Sequence, residues 1–418
     1  MKIPFIDKTL AEQIAAVIPT PFYIYDENGI RENVRKLYRA FSWNKGFKEY
    51  FAVKATPNPI ILRILNEEGC GCDCSSSNEL LLSKAIGCTG REIMFSSNNT
   101  PYGEFSLSSQ LGAIINLDDI SHIQFLEREA GIPEIISLRY NPGGEFALNN
   151  AIMSTPSEAK FGMTFNQIIS ALSYLKERGV KEFGLHMFVA SNTLAQDFYP
   201  SVAKLLFETA VKIKKITDIR LSFINLSGGL GVPYHPNEAV LDIETIAQKI
   251  KDEYYRILEP EEMNDITLYT ELGRYMLAPF GALITRVIHK KHTYKEYVGV
   301  DASSCNLMRP AMYGAYHHIS VLGKEEEAPT GIYDVTGSLC ENNDKLAINR
   351  EFPQTDIGDI LFIHDVGAHG FSMGYNYNGR MRSAEVLLKS DGNYELIRRA
   401  ETSRDYFATF DFLGLDYS

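Results

Sequence analysis

The chain has 418 residues, 45% of them hydrophobic and 22% charged, an ordinary globular mix with room for two or three domains. Lysine and arginine number 41 against 53 aspartates and glutamates, a net charge of −12. An acidic chain without a basic block argues against nucleic acid and anionic membrane as partners, so an anionic ligand must be held by a few placed groups.

No apolar run approaches the ~18 residues of a spanning helix. The opening MKIPFIDKTL lacks the charged-then-apolar layout of a secretory leader. Six cysteines are too few for a disulfide framework and suit a reducing compartment, so a cytoplasmic protein is expected.

The first 27 residues precede any rhythm and hold one strand-like run at 22–25. Short β-rich runs then recur at 50–54, 70–74, 93–96, 113–117, 135–140, 183–189, 222–226 and 267–271. Between most of them apolar residues take helical spacing, as at 60–65, 78–86, 202–216 and 243–258. Eight strands alternating with helices predict a parallel sheet, and eight closes a (β/α)8 barrel; an open doubly wound sheet is the alternative. After Met276 the runs are strand-like without intervening helices, at 282–289, 297–300, 318–322, 332–335, 360–364 and 385–388. A hairpin over 383–400 turns at Ser390-Asp391-Gly392-Asn393. The predicted class is α/β: a (β/α)8 barrel over 28–280 and a second, mainly β domain made from 1–27 and 281–418. The charge run at 324–327 is read as a solvated loop.

In such a barrel functional groups gather at the C-terminal ends of the strands. Those ends carry Lys54, 75–77, Asn98-Asn99, Asp118, Arg139, 186–191, 227–231 and 271–274. Lys54 is either an imine-forming amine activated by burial or a lysine that snorkels to solvent. The turn Ser227-Gly228-Gly229-Leu230-Gly231 follows the seventh strand, where such barrels bind phosphate; a plain tight turn is the other reading. Glu271 suits the protonated ring nitrogen of a pyridine cofactor and Arg274 suits a carboxylate or phosphate, unless the two form an internal ion pair. Cys70, Cys72 and Cys74 lie at period two on one strand face, without a fourth ligand or zinc spacing, so no metal is expected. Cys340-Glu341 follows Thr336-Gly337-Ser338 in a turn, as an acid/base pair or an inert thiol beside a carboxylate.

Taken in order, these residues resemble the pyridoxal-phosphate-dependent decarboxylases built on the alanine-racemase type of barrel, most closely the diaminopimelate decarboxylases. The resemblance runs from Thr20-Pro21-Phe22-Tyr23 to Arg398-Arg399-Ala400-Glu401-Thr402. Its most specific pieces lie at 50–55, 70–79, 160–162, 227–231, 271–274, 307–313, 340–341, 367–370 and 376–378. It implies pyridoxal phosphate held covalently by Lys54. Its phosphate would lie on Ser191, Gly228, Gly229 and Gly273, and its ring nitrogen on Glu271. Arg274, Arg309 and Tyr313 would bind substrate carboxylate, while Glu341 would read a distal amino group. Cys340 and Glu341 would come from a second copy of the chain, implying a homodimer with shared active sites. Cys340 or Lys54 would protonate the carbon that loses carbon dioxide. Two arginines suit an amino-acid substrate with two carboxylates.

Three motifs depart from the family pattern. His-x-His-x-Gly-Ser reads His186-Met187-Phe188-Val189-Ala190-Ser191, putting Phe188 where a histidine stacks on the cofactor ring. Phenylalanine stacks but neither hydrogen-bonds nor carries charge. Gly-Ala-Tyr reads Gly367-Ala368-His369, and the phosphate turn opens with Ser227 instead of glycine, a mild change. The resemblance therefore implies conversion of meso-diaminopimelate to L-lysine and carbon dioxide. A sister decarboxylase acting on a D-diamino acid or a biosynthetic conjugate is the alternative. A catalytically silent binding protein is a remoter one, since Lys54 and Cys340 are both retained.

Overall fold

The computed structural model describes residues 2–145, 156–414 and 416. It divides into two compact units, Arg31–Val232 with Val240–Met276, and Met1–Ile30 with Pro233–Ala239 and Leu277–Ser418. The first strand, β1 (Phe22–Asp26), belongs to the second unit. The next eight build the first unit: β2 (Lys48–Ala52), β3 (Gly71–Cys74), β4 (Ile93–Ser97), β5 (Ile114–Leu117), β6 (Ile135–Arg139), β7 (Glu182–His186), β8 (Phe223–Asn225) and β9 (Thr267–Thr270). Each is parallel to the next, and β9 returns to β2 with Lys48 opposite Tyr269, closing a (β/α)8 barrel.

These strands read as near-continuous apolar runs because helices cover their outer face while the barrel fills the inner one. The helices start where side chains can take the orphan backbone N–H groups. Asn58 caps Pro59–Glu67, Ser76 caps Ser77–Ala85, and Asp242 caps Ile243–Leu258. Thr164 and Gln167 form a reciprocal capping box on Phe165–Glu177.

The barrel interior is layered. At the N-terminal ends of the strands Tyr50, Met94, Ile114 and Phe223 form a buried cluster, with Ile135 and Tyr269 packed on it. The Tyr269 ring lies 5.2 Å from that of Tyr50 and 4.8 Å from that of Phe223. Side chains two residues apart on a strand share a face, and two residues further along, the inward face turns polar at Asp73, Ser96, Asn116, Asn225 and Glu271. An apolar floor thus underlies a polar upper layer.

Two strands stop earlier than expected. The 50–54 run ends at Ala52, because Val53–Ala55 folds into a single 3-10 turn that carries Lys54. The 183–189 run ends at His186, which is opposite Asn225, the last residue of the three-residue β8. Without a neighbour to continue the ladder, Phe188 lies in the following loop.

The second unit is a mainly antiparallel sheet. It contains β10 (Gly281–His292), β11 (Glu296–Val300), β12 (Ile319–Val321), β13 (Gly331–Thr336), β14 (Lys345–Phe352), β15 (Ile360–Ile363), β16 (Ala384–Leu388) and β17 (Tyr394–Arg398). The order is β14-β13-β11-β10-β1-β16-β17, with β15 also on β10 and β12 on β15. β1 lies between β10, antiparallel, and β16, parallel. Its Phe22 and Ile24 pack with Ala282, Ile284, Phe362 and Val386 in the core of this unit. The hairpin of β16 and β17 is closed by Lys389 and Asn393, as expected. β14 escaped the sequence reading: it is an edge strand, and KLAINREF has no sustained apolar face.

Candidate active site

Glu271, one residue past β9, is the hub of the polar layer. Its Oε2 accepts from His186 Nε2 and Ser227 Oγ, each at 2.9 Å. Its Oε1 accepts from Asn225 Nδ2 at 2.7 Å and, at 3.5 Å, from Ser96 Oγ. A carboxylate partner requires the proton of His186 on Nε2. The Asn225 amide is oriented by Ser227, whose backbone N–H donates to Oδ1 at 2.8 Å. Burial alone would raise the Glu271 pKa, but the His186 imidazole, the Lys54 amine and the Ser227 hydroxyl outweigh it and bring it down to about 2.

Lys54 stands on the turn after β2 with its side chain 55% exposed, which fits the solvent-reaching one of its two readings. Its Nζ is 3.9 Å from Oδ2 of the buried Asp73. The Oδ1 of Asp73 has no hydrogen-bond partner among the described residues. Burial, then the nearby Glu271 carboxylate, push the Asp73 pKa well above the usual range, with Lys54 opposing. Two carboxyl groups near one amine are thereby driven apart, one held ionised and one favoured neutral.

The loops after β7 and β8 are tied to each other. Thr193 N–H donates to the Gly229 carbonyl, Gly231 N–H to the Thr193 carbonyl, both at 2.9 Å, and Val232 N–H to Asn192 Oδ1 at 3.1 Å. Glycine is required at Gly228, where a Cβ would stand 2.8 Å from the Glu271 carbonyl oxygen. The same atom would be 3.6 Å from Phe188 Cε2, so the turn, Glu271 and Phe188 are neighbours. Gly229 has φ +125°. Gly273 abuts the lysine turn, since a Cβ there would be 2.8 Å from Ala55 Cβ. Arg274 is buried beside it in sequence, and Ser191 is half-buried on the β7 loop.

Phe188 is flanked by a cation. The Arg139 guanidinium, at the end of β6, lies 5.7 Å from its ring centroid and 4.4 Å from that of Phe161. Arg139 is buried and pairs with Asp118 at 2.8 Å.

In the second unit Arg309 is buried and donates from Nη1 to His317 Nε2 at 2.8 Å. Because that nitrogen accepts, the ring proton is on Nδ1, which donates to the His364 carbonyl at 2.9 Å. The Arg309 guanidinium also lies 4.5 Å from the Tyr234 ring centroid, and that ring meets His317 edge-on at 4.9 Å. Tyr313 is exposed in the helix Arg309–Tyr313. Cys340 and Glu341 lie exposed between β13 and β14. Cys340 N–H donates to Asn378 Oδ1 at 2.7 Å, and Glu341 Oε1 accepts from Asn343 N–H at 3.1 Å. His369 sits at φ 57° in the turn that also holds Gly367 and Gly370.

The barrel rim thus brings together Lys54, Phe188, Gly228, Glu271 and Gly273, while Arg309, Tyr313, Cys340, Glu341 and His369 belong to the β unit. Sequence reasoning missed Asp73, His317 and the second role of Ser227. Asp73 had a visible signal: if Cys70, Cys72 and Cys74 share one strand face, the residue between the last two points the other way. The three cysteines are buried, with Cys72 Sγ 3.9 Å from Cys88 Sγ and Cys74 Sγ 3.1 Å from Ser83 Oγ. The rim set fits a phosphorylated pyridine aldehyde: a glycine cradle beside an ionised carboxylate, a stackable ring, and an accessible amine next to a buried acid.

Comparison with known proteins agrees with that chemistry. The family profile described as pyridoxal-dependent decarboxylase, pyridoxal binding domain, matches residues 28–278. Protein TabA of Pseudomonas amygdali pv. tabaci is 39% identical over 407 residues, 97% of this chain and 95% of its own. Diaminopimelate decarboxylase of Methanothermobacter thermautotrophicus is 34% identical over 396 residues, 94% and 92% of the two chains. The crystal structure of diaminopimelate decarboxylase from Helicobacter pylori complexed with L-lysine superimposes with a TM-score of 0.86 at 29% identity, over 97% of this chain and 100% of that one.

Proposed function

Because the chain belongs to the pyridoxal-dependent decarboxylases, enzymes that use pyridoxal phosphate, we propose that it decarboxylates meso-diaminopimelate to L-lysine. The observation that carries the chemistry is the Glu271 carboxylate, bonded to His186, Asn225 and Ser227 and held ionised by His186, Lys54 and Ser227. When bound, pyridoxal phosphate supplies the electron sink for the pair left behind as carbon dioxide departs. Glu271 would keep the ring nitrogen protonated, and Lys54 would be the covalent anchor. Ser191, Gly228, Gly229 and Gly273 would hold the phosphate and Phe188 would stack on the ring, while His369 is assigned to the cofactor by the resemblance alone. Asp73 would give the Lys54 amine a polar neighbour.

The substrate assignment rests on Arg309. A guanidinium already fixed by His317 and Tyr234 offers a planar fork for carboxylate, with Tyr313 on the same helix, and the resemblance assigns Arg274 to carboxylate as well. Glu341 reads the distal amino group, and Cys340 or Lys54 returns the proton to carbon. Cys340 and Glu341 act in the site of a second copy, so the working form is a homodimer, a cytoplasmic one. Replacing Cys340 by alanine should lower turnover about 100-fold, the usual size of a lost proton donor, while pyridoxal phosphate affinity stays within about twofold. Steady-state rates and cofactor titration check this; loss of cofactor would give Cys340 a structural role instead.

Phe188, His369 and the 39% identity to Protein TabA favour a second reading, a sister decarboxylase of another distally charged amino acid. Product analysis decides between the two. The purified protein with pyridoxal phosphate is offered meso-diaminopimelate, and in parallel L- and D-lysine, ornithine and arginine. Lysine formed from diaminopimelate alone supports the first reading. A cofactor-loaded protein that leaves diaminopimelate untouched overturns it.

A further inference from the structure

Ser227 opens the phosphate turn in a conformation that serine rarely adopts, φ 55°, in the left-handed region. Glycine would take the same backbone without penalty. The turn is nevertheless firmly built around serine. Its carbonyl accepts from Glu271 N–H at 2.9 Å and from Tyr199 Oη at 2.6 Å, and its N–H donates to Asn225 Oδ1 at 2.8 Å. The left-handed backbone delivers the buried hydroxyl onto Glu271 Oε2 at 2.9 Å, on the oxygen that also accepts from His186. The substitution that looked mild in the sequence therefore adds a donor to the central carboxylate of the barrel.

We propose that Ser227 is a positioning residue, whose hydroxyl fixes the Glu271 carboxylate for its contact with the cofactor's ring nitrogen. This rests on the reading of Glu271 as the partner of that nitrogen. A carboxylate has about four acceptor positions. His186, Asn225 and Ser227 occupy three at 2.7–2.9 Å, and Ser96 Oγ reaches the fourth only at 3.5 Å, the weak contact that a ring N–H would displace. Each donor to the anion also makes it a weaker base. The proton shared between carboxylate and ring then stays on the ring, where it strengthens the electron sink. Removing the hydroxyl makes Glu271 more basic and less firmly aimed, and draws that proton away from nitrogen.

The test uses full-length protein freed of cofactor and titrated with deoxypyridoxine phosphate. This analogue keeps the ring and phosphate but lacks the aldehyde, so Lys54 chemistry does not enter. Ser227→Ala removes the hydroxyl and keeps the backbone strain, whereas Ser227→Gly removes both. Both variants should bind the analogue roughly tenfold more weakly, the scale of a lost hydrogen bond to a charged group. The ultraviolet band and nitrogen NMR shift of the bound ring should move toward the unprotonated form. Thermal midpoints report folding separately, and Ser227→Gly should melt at or above the parent. In a Glu271→Gln background the same Ser227 changes should have no further effect on the ring spectrum or affinity. Parent-like affinity and ring spectrum in both Ser227 variants overturn the proposal, as does a Ser227 effect that persists undiminished without Glu271. If Glu271→Gln itself binds and reads like the parent, the assignment of Glu271 falls, a result distinct from failure of the Ser227 variants alone.

Discussion

A Lys54→Ala variant is expected to fold, to lose the absorbance of covalently held cofactor, and to lose decarboxylation by at least about three orders of magnitude. Folding should survive because the side chain is more than half exposed on a single turn, not built into a strand. Its ion-pair partner, Asp73, is a buried acid already pushed toward its neutral form, so removing the amine strands no obligate charge. The loss should therefore appear in the visible spectrum and turnover, with the melting temperature moving little. Added alkylamines should restore part of the rate without restoring the covalent absorbance. A lysine-free variant that still turns over at the parental rate would sink the proposed chemistry.

Arg309→Ala should have the second largest effect, and of a different kind. A buried guanidinium bonded to a carboxylate contributes about 2–3 kcal/mol, so kcat/KM for a dicarboxylate substrate should fall roughly 30- to 150-fold. Most of the loss should fall in KM, since the group binds substrate away from the bond that breaks. Arg309→Lys should recover little, because an ammonium offers neither the planar fork nor the face that lies over Tyr234. His317→Gln should give a weaker version of the same signature, since His317 holds Arg309 through Nε2. A collapse in kcat with unchanged KM would remove Arg309 from substrate binding. So would equal activity of Arg309→Lys.

The barrel was legible in the sequence because parallel strands packed on both faces leave unbroken apolar runs, and their spacing counts to eight. Strand ends were less legible, because a strand stops where its neighbour stops. β7 ends with the three-residue β8, a matter of pairing that no local pattern records. Glu49 shows the converse: a charged residue lies inside β2, where Thr270 Oγ1 and Leu272 N–H donate to its buried carboxyl. In the candidate site, residues with distinctive chemistry at strand ends, Lys54 and Glu271, were readable one at a time. The partnerships were not. His186, Asn225 and Ser227 meet Glu271 across 85, 46 and 44 residues of chain, and Asp73 was hidden behind the more conspicuous cysteines. His317 is one of two adjacent histidines, and only the buried Arg309 distinguishes it by fixing its tautomer.

The placement of β1 bears on how the protein is made. Its residues leave the ribosome before the barrel, yet both neighbours, β10 and β16, are synthesised only after the entire barrel. During translation Phe22 and Ile24 must wait with two unpaired edges while the barrel condenses from contacts between consecutive strands. The barrel can mature first, but the sheet cannot be completed until β16 and β17 have been made. A nascent chain stalled before residue 384 would present an apolar strand with an open side, the kind of surface that chaperones hold and neighbouring chains capture. The vulnerable interval therefore lasts until β16 is made, and it is set by β1.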